Sequence, residues 1–138
     1  MDKTELVTEQ IQVGIVLIET LDQSEFSVSA AMWFYMSENG EWRLMIASPY
    51  VDKNGPKKSY EFIQNILDEL PKNINAALYS PLSSYISLNN ISVVGTNHEL
   101  IKLIRMAIKT GHTISQIRFT KNVINNVLIE DALIYRMM

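Results

Sequence analysis

The chain has 138 residues, of which 47% are hydrophobic and 20% charged, with a formal net charge of −3. That length suits one ordinary domain, and that apolar content excludes wholesale disorder. With no cysteine in the chain, a disulfide framework, a thiolate zinc site and a cysteine nucleophile are all excluded.

Residues 3–21 read as a helix. Val7, Ile11, Ile15 and Ile18 form a stripe, flanked by Leu6, Val13, Leu17 and Leu21, while Glu5, Glu9 and Gln12 take the other face. Ile11–Ile18 is rich in β-branched residues and contains Gly14, so a strand over 11–18 is the rival reading.

Residues 27–36 and 41–48 predict a hairpin. Val28, Ala30, Met32, Phe34 and Met36 alternate with Ser29, Ala31, Trp33 and Tyr35, and Ser37-Glu38-Asn39-Gly40 supplies the turn. The return strand places Trp42, Leu44 and Ile46 opposite Arg43, Met45 and Ala47. Both strands are apolar on both faces. They are therefore expected in the middle of a sheet, or with one face under a helix and the other against a partner.

Pro49 ends that strand, since proline cannot donate to a ladder. A loop over Tyr50–Gly55 leads to a helix over 56–70, with Pro56 at its start and Tyr60, Ile63, Leu67 and Leu70 as its stripe. Residues 72–90 read as irregular, with a helical turn near Ile74–Leu78 and a brief strand at Tyr85–Leu88. Ile91–Gly95 reads as a short buried strand. Thr96 and Glu99 have capping-box spacing for a helix over 97–110, and Gly111 suits its C-terminal cap. Residues 113–124 and 127–136 predict a second hairpin around Asn125-Asn126, with Val127, Ile129 and Asp131 on one side and Leu128 and Glu130 on the other.

The order is α-β-β-α-β-α-β-β. It predicts a single α+β domain spanning 1–138: about five strands, mainly antiparallel, covered by about three helices. The longest apolar run, Ala30–Met36, is far short of the ~20 residues a membrane helix needs. No basic leader stands at the start, so a cytoplasmic location is expected.

Trp42-Arg-Leu-Met-Ile-Ala-Ser-Pro49, then Asp52 and Gly55-Pro56, then Ile129-Glu-Asp-Ala-Leu-Ile-Tyr-Arg136 resembles a pattern found in short uncharacterised bacterial proteins. The resemblance covers the chain from about Val28 onward. It implies a bacterial source and carries no catalytic residue across.

Charge is unevenly spread. Residues 1–41 hold eight acids against one base, a net −7, whereas residues 42–138 hold eleven bases and seven acids, a net +4. His98, Lys102, Arg105 and Lys109 stand at i, i+4, i+7 and i+11, a candidate anion-binding stripe opposite Leu100, Ile101, Leu103, Ile104 and Ile108. An ordinary solvated helix face explains the same spacing. Arg105 and His112 resemble the Arg-x4–6-His signature of the HEPN ribonucleases, in which the pair would act on a scissile phosphate. That family is all-helical, unlike a chain with two hairpin signals.

Glu130 and Asp131 are adjacent carboxylates whose side chains leave a strand on opposite faces. They are catalytic candidates for a phosphate-bearing substrate, or else ion-pair partners of Arg118, Lys121 or Arg136. Two histidines cannot build a His-rich metal centre, and neither a metal nor a cofactor is expected. Trp33, Tyr35 and Trp42 are candidate interface residues, with core packing as the competing explanation. The reading that follows is a non-enzymatic protein-interaction module, a homodimer or an accessory subunit of an assembly. The alternative is an enzyme acting on a phosphate-bearing substrate such as nucleic acid, although the charge balance disfavours nucleic acid as a partner. No membrane partner is expected.

Overall fold

The protein is described by a computed structural model covering residues 5–70 and 85–138. In chain order the elements are α1 (Thr8–Asp22), β1 (Ala30–Met36), β2 (Glu41–Ala47), α2 (Pro49–Glu69), β3 (Ile91–Val94), α3 (Glu99–Ala107), β4 (Ile117–Ile124) and β5 (Val127–Met137). The strands form one sheet in the order β3-β2-β1-β5-β4. Only the β2–β3 pair is parallel; the other three are antiparallel. This is the α+β arrangement expected from the sequence.

The β1–β2 hairpin lies at the centre of the sheet, as its two apolar faces require. Gly40 takes the positive φ of its turn (68°), with its amide donating to Met36 O at 2.8 Å. The alternation expected from the sequence sorts cleanly. Ala31, Trp33, Tyr35, Trp42, Leu44 and Ile46 face one side, under α1 and α2. Ala30, Met32, Met45 and Ala47 face the other, under α3. The hairpin's covering is thus supplied by this chain's own helices.

Residues 11–18 are helical, which settles the helix-or-strand alternative; burial against the sheet overrides β-branched propensity here. The buried stripe is turned from the expected one. Val13, Gly14, Leu17, Ile18 and Leu21 are buried, while Val7 is exposed and Ile11 and Ile15 are half-buried. Tyr135 is the reason. Its ring lies against Gly14 so closely that a Cβ there would collide with its hydroxyl. The hydroxyl donates to Ile11 O at 2.7 Å and accepts from Trp33 Nε1 at 2.8 Å. Glycine is what lets the helix descend onto the sheet at this point.

A bulge in β5 aims that tyrosine. Ala31 pairs with Arg136 but Met32 pairs with Ile134, so Tyr135 is an extra residue. A bulge turns neighbouring side chains to the same side. Arg136 accordingly joins Tyr135 beneath α1, bonding Asp22 at 3.0 and 2.9 Å and Val28 O at 3.0 Å. That pair, its guanidinium buried and its carboxylate half-buried, ties the last strand to the end of the first helix.

Other expectations change in detail. Pro49 does not open a loop but starts a helix: Ser48 caps it by accepting from Tyr50 N at 3.0 Å. The helix breaks at Gly55 (φ 82°) before resuming at Pro56. Tyr85–Leu88 forms no strand; a 3-10 turn occupies Leu88–Asn90. The helical turn expected at Ile74–Leu78 lies outside the described residues. Thr96 does not cap α3, because Asp52 takes its hydroxyl (2.6 Å) and its amide. His98 is the cap instead, its Nδ1 accepting from Leu100 N at 3.2 Å. The helix ends at Ala107 and not near 110, because Thr110 is drawn to β5: its amide donates to Met137 O and its hydroxyl accepts from Met137 N, both at 2.8 Å.

Candidate functional site

The two sides of the sheet are covered unequally. Five strands about 4.8 Å apart span roughly 19 Å, room for two helices at 8–10 Å spacing. The first side carries α1 and α2, of 15 and 21 residues; the second carries α3 alone, of nine. Ile101 and Ile104 are the residues of α3 that reach the core.

The distal half of the β4–β5 hairpin closes part of the gap by changing face. Residues 127–131 of β5 reach beyond the residues that pair with β1, so this half is a two-stranded ribbon. Asn125 and Asn126 both have positive φ (49° and 67°) in its turn. The alternation of the inner half fails at Lys121, which sits at φ 48° between the pairs Thr120–Asp131 and Asn122–Ile129. Ile117, Phe119, Ala132 and Ile134 pack on the α3 side, and so do Ile124 and Ile129, which unbroken alternation would send to the other side. Ile129 and Asp131 therefore face opposite ways, against the expectation that they share a side.

This leaves the ribbon apolar on both faces. Ile124 and Ile129 are buried beside Ile101 and Ile104. Val123 and Leu128, directly opposite each other across the ladder, are 66% and 57% exposed. Between the ribbon and α3 runs a groove of about 580 Å³ lined by His98, Glu99, Leu100, Lys102, Leu103, Met106, Asn125 and Val127. Met106 is 68% exposed. A second cavity of about 400 Å³ shares His98 and Leu100 and is floored by Phe34, Met36, Met45 and Val94. Apolar surface thus continues on both sides of the first turn of α3.

The candidate stripe of cations is dispersed. His98 is the cap. Lys102 lines the groove. Arg105 turns a guanidinium nitrogen to Thr96 O at 3.3 Å, and Lys109 lies beyond the helix. His112 is exposed in the segment between α3 and β4, outside any helix, and a five-stranded sheet departs from the all-helical HEPN architecture. Asp131 is buried and accepts a two-pronged bond from Arg118 at 2.6 and 2.7 Å, with the guanidinium 5.5 Å from the Trp42 ring centre. That bond to Asp131 raises Arg118 above its ordinary value. Asp131 is thus in the ion pair the sequence offered as its alternative role, and Glu130 is half-buried on the neighbouring position.

Trp33, Tyr35 and Trp42 are buried within the chain, Tyr35 against Trp42 with ring centres 5.4 Å apart. Tyr135 belongs to the same interior, and burial pushes its phenol well above the usual tyrosine range. Among the described residues no three His, Asp or Glu side chains come together as metal ligands, and no helix is long and apolar enough to cross a membrane. Sequence reading missed Met106, Val123, Val127 and Leu128 as surface residues. The one available signal was the Asn125-Asn126 turn flanked by apolar residues on both sides. Comparison with protein families, with curated proteins and with solved structures finds no match.

Proposed function

We propose that this chain is a non-enzymatic protein-interaction module, a homodimer or an accessory subunit of an assembly, that binds through α3 and the β4–β5 ribbon. The observation that carries the reading is the cross-strand pair Val123–Leu128, exposed on a ribbon whose other face is already packed. Met106 and Val127, which line the groove on the α3 side, are exposed as well, and exposed apolar side chains of this kind are what interfaces are built from. Of the groups on which the phosphate-directed alternative depends, Arg105 and Asp131 are engaged by Thr96 and Arg118. A cytoplasmic location and a bacterial source belong to the same proposal.

Light scattering at high protein concentration, run beside a pull-down from host extract with wild type and Val123→Lys/Leu128→Lys, tests it. The reading expects either an oligomer or a defined retained protein that the double variant loses at an unchanged melting temperature. A monomer that retains the same proteins in both forms contradicts it.

A further inference from the structure

The second cavity, beside the first turn of α3, has the make-up of a small-molecule site. We infer that it binds a small monocarboxylate with an apolar body, a medium-chain or an aromatic acid; this stands independently of the interaction reading above. The sheet register builds the site. Phe34 pairs with Arg43 and Met45 with Ser92, and cross-strand partners share a face. Arg43 and Met45 lie two apart in β2, so all four residues face the side that α3 covers only in part. Met36 and Val94 extend this apolar surface, and Leu100 of α3 and Tyr60 of α2 complete the lining. The volume is about 400 Å³, within the roughly 300–1,000 Å³ of small-molecule sites.

The polar groups that line the cavity choose the ligand, because they offer donors. Arg43 supplies the charge. Its guanidinium donates to neutral acceptors, Ser92 Oγ at 2.7 Å, Asn89 O at 3.1 Å and Ile91 O at 3.0 Å. Its contact with the half-exposed carboxylate of Glu41 is long, at 3.6 Å. Ser92 Oγ accepts from Arg43 and Tyr60 Oη accepts from Val93 N at 3.1 Å, so each hydroxyl keeps its own proton to give. His98 Nδ1 accepts from Leu100 N, so in the neutral ring Nε2 carries the proton. Among the described residues that line the cavity there is no acid. A ligand that brings acceptors and one negative charge completes these groups, and an amine does not. A phosphate monoester would bring up to two charges to a single guanidinium. A bare anion would leave Phe34, Met36 and Met45 uncovered. A monocarboxylate on an apolar body answers both requirements.

The test titrates the full chain with octanoate and naphthoate, and for each with the matching alcohol, amine and phosphate, by calorimetry and by amide NMR shifts. Acetate serves as a carboxylate without an apolar body. The inference expects one or both acids to bind, the tighter one naming a chain or a ring as the body. Amide shifts should centre on Ser92–Val94 and His98–Leu100. The alcohol, amine, phosphate and acetate should bind at least about tenfold more weakly. Arg43→Gln should weaken the acid about tenfold or more and leave the alcohol unchanged, a split that general loosening would not produce. Arg43 also holds β3, so His98→Asn provides a second variant. Asparagine keeps the helix cap and loses the ring N–H, and the acid should weaken several-fold at an unchanged melting temperature. Met36→Trp, which fills the cavity, should abolish binding of acid and alcohol alike. Failure of both acids to bind overturns the inference. So does equal or tighter binding of the alcohol, amine or phosphate, shifts centred on Met106 and Val127, or an acid indifferent to both Arg43→Gln and His98→Asn. The interaction reading stands or falls separately, on Val123→Lys/Leu128→Lys.

Discussion

The two sides of this sheet solve the same problem differently. On one, α1 and α2 lie across the strands, and the contacts are fixed by single atoms: Tyr135 against Gly14 and Ile11 O, Trp33 against Tyr135, Arg136 against Asp22. On the other, a nine-residue helix and a ribbon that switches face at Lys121 share the covering. They leave Met106 and Val127 in solvent on that side, and the ribbon's opposite face leaves Val123 and Leu128 exposed as well. A surface closed by its own chain is specified by close fit and buried polar bonds. A surface closed only in part keeps apolar side chains that gain nothing from folding. That contrast, more than any single residue, separates the structural side from the binding side.

The comparison predicts a gradient of mutational effects. The largest belongs to the closed side. Asp22→Ala leaves the Arg136 guanidinium buried without its carboxylate and should cost about 3–5 kcal/mol in a denaturant melt. An effect below about 1 kcal/mol would mean that the Arg136–Asp22 tie does not hold this side shut. Ile101→Ala removes one of the two α3 residues that reach the core and should cost about 2–5 kcal/mol, toward the lower end if the helix settles into the space. Less than half that loss would mean α3 is not a fixed cover.

Tyr135→Phe keeps the ring but strands the Trp33 indole N–H, a loss of about 1–3 kcal/mol. Gly14→Ala should cost a similar amount by overpacking. The two together should cost less than their sum, because the hydroxyl is the atom the new methyl meets first. The raised Tyr135 value has a definite sign. The folded state favours the neutral phenol, so its contribution is complete below about pH 10 and is lost as pH climbs from there toward the folded value. Melts of wild type and Tyr135→Phe at rising alkaline pH should therefore converge. The smallest effect belongs to the open side. Met106→Lys should change stability by less than about 0.5 kcal/mol, and a larger loss would place that side chain inside the fold.

Much of this was legible in the sequence, for reasons that can be named. The first hairpin declared itself by alternation and Asn39-Gly40, and its doubly apolar strands correctly implied cover on both faces. Both apolar faces of the first hairpin close within the chain, and it is the second hairpin, beyond Lys121, whose outer face stays open. Period-two patterning could not show this, because one residue at positive φ inverts every side chain after it. The face of α1 was misread for a similar reason. Gly14 looked like a weakness in a helix, whereas its meaning depends on Tyr135, more than a hundred residues away, and on a bulge that no local pattern announces. Asp52 likewise removed Thr96 from its capping role through a contact between distant segments.

The central claim, that the ribbon and α3 form the binding side and the α1–α2 surface does not, can be put to one direct measurement. A photo-reactive benzoylphenylalanine placed at Leu128, or in a separate variant at the exposed Glu19 of α1, reports what touches each side in living cells. The account predicts a discrete crosslinked species from position 128 and none from position 19. A discrete adduct from 19 with nothing from 128 would contradict it.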